Sequence, residues 1–459
     1  MFQIDFNHPI HVYFIGIGGI SMSGLAEILL DKGFFVSGSD MRRSPLTEHL
    51  EKQGASVCYG QRYENITDSI DLIVYTAAIH KDNPEWLAME DKKIPSLSRA
   101  QLLGEIMRNY ELPVAISGTH GKTTTTSMIS EILLQDQDDP TLSIGGILKS
   151  INGNIRIGQS GYFVTEACEY TNSFLNFFPK VAVILNIEED HLDFFKDIHD
   201  IRNSFHKFAC LLPKDGTLII NHEISDLKEI TDGISCPYIT YGFSNDCDYY
   251  ADDISYDELA HPIFTIHDSK HESIKIHLSV PGRHNISNAL AAVCFADICG
   301  IDRTCTIKAL DLFEGTDRRF EKKGDLSGIT IIDDYAHHPT EIAATLEAAR
   351  NYPHNTLWCV FQPHTYTRTK AFMQEFADSL CLADKVILAD IYAARETDTL
   401  GISSRTLADE IKRRGKECYY FPSFDEIENF ILENCTQGDL LITMGAGDIV
   451  KVGENLLGK

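Results

Sequence analysis

The residues best suited to chemistry run from Gly118 to Thr124, Gly-Thr-His-Gly-Lys-Thr-Thr. Gly118 and Gly121 let successive backbone N–H groups converge on phosphate oxygens, and Lys122 can reach the β- and γ-phosphates of a nucleotide. The Thr123 hydroxyl can ligate Mg²⁺, and a helix starting there adds its N-terminal dipole. The full G-x-x-x-x-G-K-[ST] spacing fails, because Ile116 stands where the first glycine belongs. The loop is two residues short, yet a Gly-Lys-Thr between an apolar strand and a helix is hard to read as a plain turn.

Other constellations are less specific. Glu166 and Glu169 end an apolar run, and Glu188, Glu189, Asp190, His191 and Asp193 follow another. A phosphate-bound Mg²⁺ needs oxygen ligands at such an edge, and Glu166 leaves its strand first. By spacing alone the second cluster reads as a solvated acidic loop, and His191 is a soft ligand for Mg²⁺. Asn285 and Asn288 open a helix, the first as a possible N-cap, the second where its amide could face a base or ribose. Arg318 and Arg319 fit a surface ion-pair patch or a phosphate contact. Asp333, Asp334, Tyr335, His337 and His338 crowd the stretch before Pro339; one histidine is expected to cap or pack while the other works. His364 and Arg368 follow the next strand, and an arginine there can grip a carboxylate with two hydrogen bonds. Near the N-terminus, Gly16, Gly18 and Ser21 approximate G-x-G-x-x-G, with Asp40 at the distance of a ribose-binding acid. That turn suits an NAD-type dinucleotide or another phosphate-bearing ligand.

Three successive runs of strand-turn-helix patterns must position these groups. Apolar strands with polar C-terminal tails predict α/β architecture throughout, with sites at the carboxyl edges of parallel sheets. The expected division is a Rossmann-like unit over 1–111, a P-loop-type parallel-sheet unit over 112–324, and a doubly wound α/β unit over 325–459. Residues 249–282 alternate in polarity and read as antiparallel and peripheral; a helix after them should end at Gly300.

The chain has 459 residues, 40 basic and 67 acidic, for a formal charge of −27. That balance argues against sequence-independent nucleic-acid binding but leaves room for anionic small ligands at helix ends. The 12 cysteines include no C-x-x-C pair and read as small buried hydrophobes of a reducing compartment. With no signal-like N-terminus and no run of about 18 apolar residues, no membrane insertion is expected and the cytoplasm is the expected address.

Taken together, "GTHGKTT", "TEACE", "NIEEDHLD", "GRHNISNALAA", "GTDRRFE", "DDYAHHPTE" and "QPHTYTRT", in that order, resemble the Mur ligase family from about residue 11 to Gly447. The resemblance implies three domains: one for a UDP-sugar, one for ATP, and one closing over both. It implies that ATP, UDP-N-acetylmuramate and L-alanine react through an acyl phosphate in peptidoglycan precursor synthesis. A relative that attaches a recycled tripeptide is the nearest rival, and an NAD-dependent oxidoreductase built on the first turn is a distant one. Carried over residue by residue, Gly118, Thr119, His120, Gly121, Lys122, Thr123 and Thr124 bind ATP. Asn288 lies toward adenine, with Arg319 and Asp334 at the phosphate and ribose edge. Thr123, Glu166 and His191 hold Mg²⁺. Gly18, Gly19, Ser21, Met22, Ser23 and Asp40 meet the sugar nucleotide. Tyr335, His337 and Arg368 position the alanine and the sugar carboxylate. Lys122, Glu166, His191, His337 and Arg368 are the expected catalytic set. The chain departs from the family pattern at Thr365, where arginine is common, at Cys168 and Asn172, where acids are common, and at Ser21, where glycine is common. The resemblance is silent on oligomeric state.

Overall fold

The computed structural model describes residues 2–394, 396–398 and 400–459. Among them lie three sheets, of five, ten and six strands. The first comprises β1 (His11–Ile15), β2 (Phe35–Asp40), β3 (Ser56–Tyr59), β4 (Leu72–Tyr75) and β5 (Ser96–Ser98), in the order β3-β2-β1-β4-β5. All its pairings are parallel, as the glycine turn after β1 and the strand-helix alternation predict.

The central sheet contains β6 (Leu112–Ser117), β7 (Thr141–Leu148), β8 (Gly153–Arg156), β9 (Tyr162–Glu166), β10 (Val181–Ile184), β11 (Thr217–Asn221) and β12 (Tyr238–Gly242). It ends in β13 (Tyr249–Tyr256), β14 (Pro262–Asp268) and β15 (Ile274–His277). The order is β15-β14-β13-β12-β11-β10-β6-β9-β7-β8. Its middle is parallel and largely apolar, with polar residues toward the carboxyl ends, because helices cover both faces. The expected antiparallel stretch is β13–β15 at one edge. The sequence reading missed β7 and β8: Gly145 and Gly146 break the apolar run of β7, and β8 has no buried residue. The helix Arg283–Cys299 ends at Gly300, whose φ of 73° closes it. Its N-cap is Gly282, so Asn285 is not the cap and lies inside the first turn.

The third sheet has β16 (Glu321–Leu326), β17 (Ile329–Asp334), β18 (Leu357–Phe361), β19 (Lys385–Leu388), β20 (Glu417–Tyr420) and β21 (Leu440–Met444), in the order β16-β17-β21-β18-β19-β20. Only β16 runs antiparallel among these pairings, and it spans the expected division between residues 324 and 325.

The cores differ in reach. One continuous apolar cluster joins Val12, Phe14, Leu102 and Ile106 of the first unit to Phe163, Phe174 and Phe205 of the central one. At this junction a side chain on Gly104 would collide with the Asn176 carbonyl, 1.9 Å from the position of its Cβ. The third unit's two clusters contain only its own residues. All 12 cysteines are free, but not all are buried as expected: Cys58 and Cys210 are exposed. No described helix is long and apolar enough to cross a membrane.

Candidate active site

Three adjacent parallel strands, β9, β6 and β10, converge at their carboxyl ends. From β6 the chain turns through Gly118 (φ 146°) and Gly121 (φ 82°) into the helix Lys122–Gln135. Glycine is needed at 121 for two reasons: its φ is left-handed, and a Cβ would lie 2.6 Å from Asn288 Oδ1. That approach seats Asn288 against the loop. From β9 comes Glu166, whose Oε1 accepts the Gly145 N–H at 2.6 Å. From β10 come Asn186 and residues 188–191; the Asn186 side chain clamps both main-chain groups of His120, at 2.7 and 3.1 Å.

Lys122 folds back over its own loop. Its Nζ donates to the Gly118 carbonyl and to the Thr119 carbonyl at 3.0 Å, and pairs with Glu169 Oε2 at 3.1 Å. Burial opposes its charge, but Glu169 outweighs burial and raises its pKa, so the ammonium is retained. His191 adopts φ 53°. Its Nε2 lies 3.7 Å from Asp190 Oδ2 and 3.9 Å from Glu169 Oε1. Burial lowers its pKa more than those carboxylates raise it, leaving a neutral imidazole. Tyr170 stacks on that ring at 4.3 Å and donates its hydroxyl to Asp193 at 2.7 Å. Cys168 is kept a protonated thiol by burial and by Glu169.

Facing this edge are the carboxyl ends of β17, β21 and β18, again adjacent and parallel. Asp334 at the end of β17 accepts N–H groups from Ala336 (2.7 Å) and Phe320 (2.8 Å); burial raises its pKa to about 6 despite Arg319. The two arginines separate in role. Arg318 binds Asp333 at 2.9 Å and the carbonyls of Gly445 and Gly447, so it fastens the sheet end, while Arg319 lines the cleft. The two histidines are placed differently. His338 caps the helix Pro339–Asn351, accepting the Thr340 N–H. His337 lines the cleft with Tyr335. Its Nδ1 donates to the Tyr335 carbonyl at 3.0 Å, and burial pulls its pKa down to about 4, leaving Nε2 with a free lone pair.

Polar links tie the two edges together. His120 Nδ1 meets Glu341 Oε1 at 3.0 Å, and its Nε2 lies 3.5 Å from Glu188. Thr340 Oγ1 donates to Glu188 at 2.6 Å, and His338 Nε2 lies 3.1 Å from the Glu189 carbonyl. Arg368 binds Asp190 Oδ1 through Nε (3.3 Å) and Nη2 (2.9 Å). Burial works against the His120 charge, yet Glu341 and Glu188 lift its pKa to about 9. Burial likewise disfavours the Asp190 carboxylate, but the Arg368 guanidinium holds it well below the usual range.

Two cavities meet across the loop. One, about 210 Å³, is lined by Asn285, Asn288, His284 and Asp334. The other, about 530 Å³, is lined by Lys122, Thr123, Glu166, Glu169, His191 and His337. His120, Gly121, Arg319 and Glu341 line both, so a nucleoside end and a polyphosphate end would join over the loop. The glycine-made cradle suits a nucleoside triphosphate, and the hydroxyl, carboxylates and neutral imidazole beside it suit a hard divalent ion. Thr119 and Thr124 also belong to this centre. Sequence reasoning preferred Glu166 to Glu169, yet Glu169 approaches Lys122 and His191. It missed Glu341, whose signal was its place three residues after the cap at His338.

The first turn stands apart. Asp40 Oδ2 accepts the Gly18 N–H at 2.9 Å, and Gly19 caps the helix Ile20–Asp31. Met22 and Ser23, expected as ligand contacts, are 2% and 5% exposed, and Ser23 Oγ donates to the Ile20 carbonyl. Ser21 accepts from Arg99 Nη1 at 3.0 Å. Gly16 and Asp40 border a separate cleft of about 510 Å³ with Gln61 and His80.

Family models match in the same three parts. "Mur ligase family, catalytic domain" covers residues 11–111, "Mur ligase middle domain" 116–296, and "Mur ligase, glutamate ligase domain" 318–447. The UDP-N-acetylmuramate–L-alanine ligase of Agathobacter rectalis is 58% identical over 459 residues, the full length of both chains. That of Lachnospira eligens is 58% identical over 458 residues, again across 100% of each. Among solved structures, UDP-N-acetylmuramate-alanine ligase of Thermotoga maritima is 29% identical with a TM-score of 0.80, covering 98% of each chain. A murein peptide ligase of Psychrobacter arcticus is 27% identical with a TM-score of 0.70, also over 98% of each. Agreement through all three parts, at such identity over whole chains, makes this protein a member of the Mur ligase family.

Proposed function

We propose that this chain is an ATP-dependent ligase that joins L-alanine to the carboxylate of UDP-N-acetylmuramate through an acyl phosphate. Full-length identity of 58% to relatives of that name carries the reading. The two cavities meeting over the Lys122 loop support it in the geometry.

In this reading the small cavity takes the nucleoside, with Asn288 toward the base and Asp334 toward the ribose. Gly118 to Thr124 cradle the phosphates. Lys122, kept charged by Glu169, and Arg319 balance the charge on the γ-phosphoryl group. Thr123, Glu166 and His191 would hold Mg²⁺, which supplies further charge neutralisation. The sugar-borne carboxylate oxygen attacks the γ-phosphorus, the bond to the β-phosphate oxygen breaks, and ADP leaves. The alanine amine then attacks the acyl carbon, the C–O bond to phosphate breaks, and inorganic phosphate departs. Arg368, aimed by Asp190, grips a carboxylate, and neutral His337 offers Nε2 as a hydrogen-bond acceptor to the incoming amine. The links across the cleft exclude water that would hydrolyse the acyl phosphate. The sugar nucleotide binds at the Gly18–Asp40 turn, whose backbone N–H groups open a helix.

Phosphate release with UDP-N-acetylmuramate tests this directly. Turnover with L-alanine and little with the tripeptide L-alanyl-γ-D-glutamyl-meso-diaminopimelate, the acceptor in the name of a ligase from Neisseria, is expected. The reverse order would favour the tripeptide reading, which the likeness to the murein peptide ligase keeps in the comparison.

A further inference from the structure

We infer that Asp257, His261 and His277, none of which lines the ATP cleft, form a binding site for a divalent transition cation of the zinc class. Asp257 and His261 are the ends of the loop joining β13 to β14, and His277 ends the edge strand β15. One nitrogen from each histidine and one oxygen of Asp257 lie within 4.8 Å of one another. His261 Nδ1 is 3.2 Å and His277 Nε2 is 3.3 Å from the same Asp257 Oδ2. Zn–N and Zn–O bonds of ~2.0–2.1 Å set neighbouring ligand atoms about 3.3 Å apart in a tetrahedron, so these edges already have the right length.

The ligands are also held. Asp257 Oδ1 accepts the N–H groups of Leu259 (2.8 Å) and His261 (2.9 Å), which leaves Oδ2 for a cation. His277 Nδ1 contacts Asp311 Oδ1 at 2.7 Å. With the proton on Nδ1 donated to Asp311, the Nε2 lone pair, 3.3 Å from Asp257 Oδ2, is left for a cation between them, the carboxylate–histidine arrangement that supports zinc ligands. The two rings stand edge to face, 6.1 Å apart. Among the described residues, no lysine or arginine pairs with Asp257 or Asp311. The Asp268–His271–Asp297 group at the other end of β14 differs, because Arg303 occupies it with bonds of 2.5 and 2.6 Å. Two imidazoles with one carboxylate select zinc-class ions over Mg²⁺, and the fourth position stays open to water. A cation there would tie the edge of the ten-stranded sheet to the helix Arg303–Leu312, which carries Asp311. The rival occupant is a proton on His277, held between Asp257 and Asp311.

The test is a Co²⁺ titration of chelator-stripped full-length protein in excess Mg²⁺. The expected result is about one equivalent giving a tetrahedral d–d spectrum. It persists in His191→Ala, which controls for the cleft, and disappears in His261→Gln and His277→Gln. Asp311→Asn should weaken binding about 10- to 100-fold. Ligation with Mg²⁺ should stay within about twofold in His261→Gln. If a variant does not fold, wild-type imidazole resonances decide: Zn²⁺ should shift His261 and His277 together and block protonation of His277. No spectrum dependent on those two histidines, or a His277 ring that titrates unchanged with Zn²⁺ present, overturns the site.

Discussion

At the residue scale, the centre is governed by which charges are held in place before any ligand arrives. Lys122 is the cation of the phosphate loop, and Glu169 keeps it both charged and oriented. Lys122→Ala is expected to lower kcat at least 10²-fold in a phosphate-release assay, the scale of losing one preorganised charged donor. Glu169→Gln should leave the loop intact but free the ammonium, lowering kcat less than Lys122→Ala does. Equal losses would mean that Glu169 acts on the ion and not on Lys122. Arg368 depends in the same way on Asp190. Asp190→Asn should raise the KM for L-alanine about tenfold with a smaller effect on the KM for ATP, since a charge-assisted hydrogen bond contributes roughly 1.5–3 kcal/mol. Lys122 and Thr123 could be placed at the cleft from sequence, because Gly-Lys-Thr between an apolar strand and a helix carries its own chemistry, whereas Arg368 was marked by its place after a strand and by the family resemblance. Glu169, Asp190 and Tyr170 were not, since their parts depend on contacts between strand ends that no local pattern encodes. Met22 and Ser23 are buried because a helix start exposes its backbone while turning the side chains of its inner face into the core.

At the element scale, the loop after β10 and the start of the helix Pro339–Asn351 form the joint between the two sheet edges. Its one titratable cation near neutrality is His120, lodged between Glu341 and Glu188. Its pKa is raised from the ordinary 6.5 to about 9. The stabilisation is therefore complete below about pH 6.5 and lost as pH rises through about 9. Thermal melts should show the melting temperature falling between pH 7 and 9.5 in the wild type, and a flatter profile in His120→Gln. Parallel profiles would show that the joint does not depend on this proton. The strands flanking the joint were readable as apolar runs with polar tails, and the helix Arg283–Cys299 by its glycine stop. What hid β7 was its pair of glycines, which serve Glu166 and Thr123 by letting them approach and so weaken the strand signal.

At the scale of the whole molecule, the three units are unequally joined. The first and central units share one apolar cluster, while the third meets the central unit through hydrogen bonds and ion pairs around the cleft. Apolar sharing makes two units fold as one, whereas polar docking permits motion. A chain ending near residue 316 should melt in one cooperative transition, and one ending near 111 should aggregate through Leu102, Ile106 and their neighbours. Two separate transitions in the longer fragment would refute the shared core. The alternation of strands and helices forecast three units, but not which two would fuse, because that rests on which buried faces meet.

The fused pair has a practical outcome for inhibitor chemistry. The span from the Gly18 turn to Lys122 is effectively a ruler built into the scaffold, whereas the span from Lys122 to Arg368 crosses polar links alone and would change with any swing of the third unit. A tethered compound bridging the first two points would have one optimal linker length. A compound reaching for Arg368 would reward a supple linker instead.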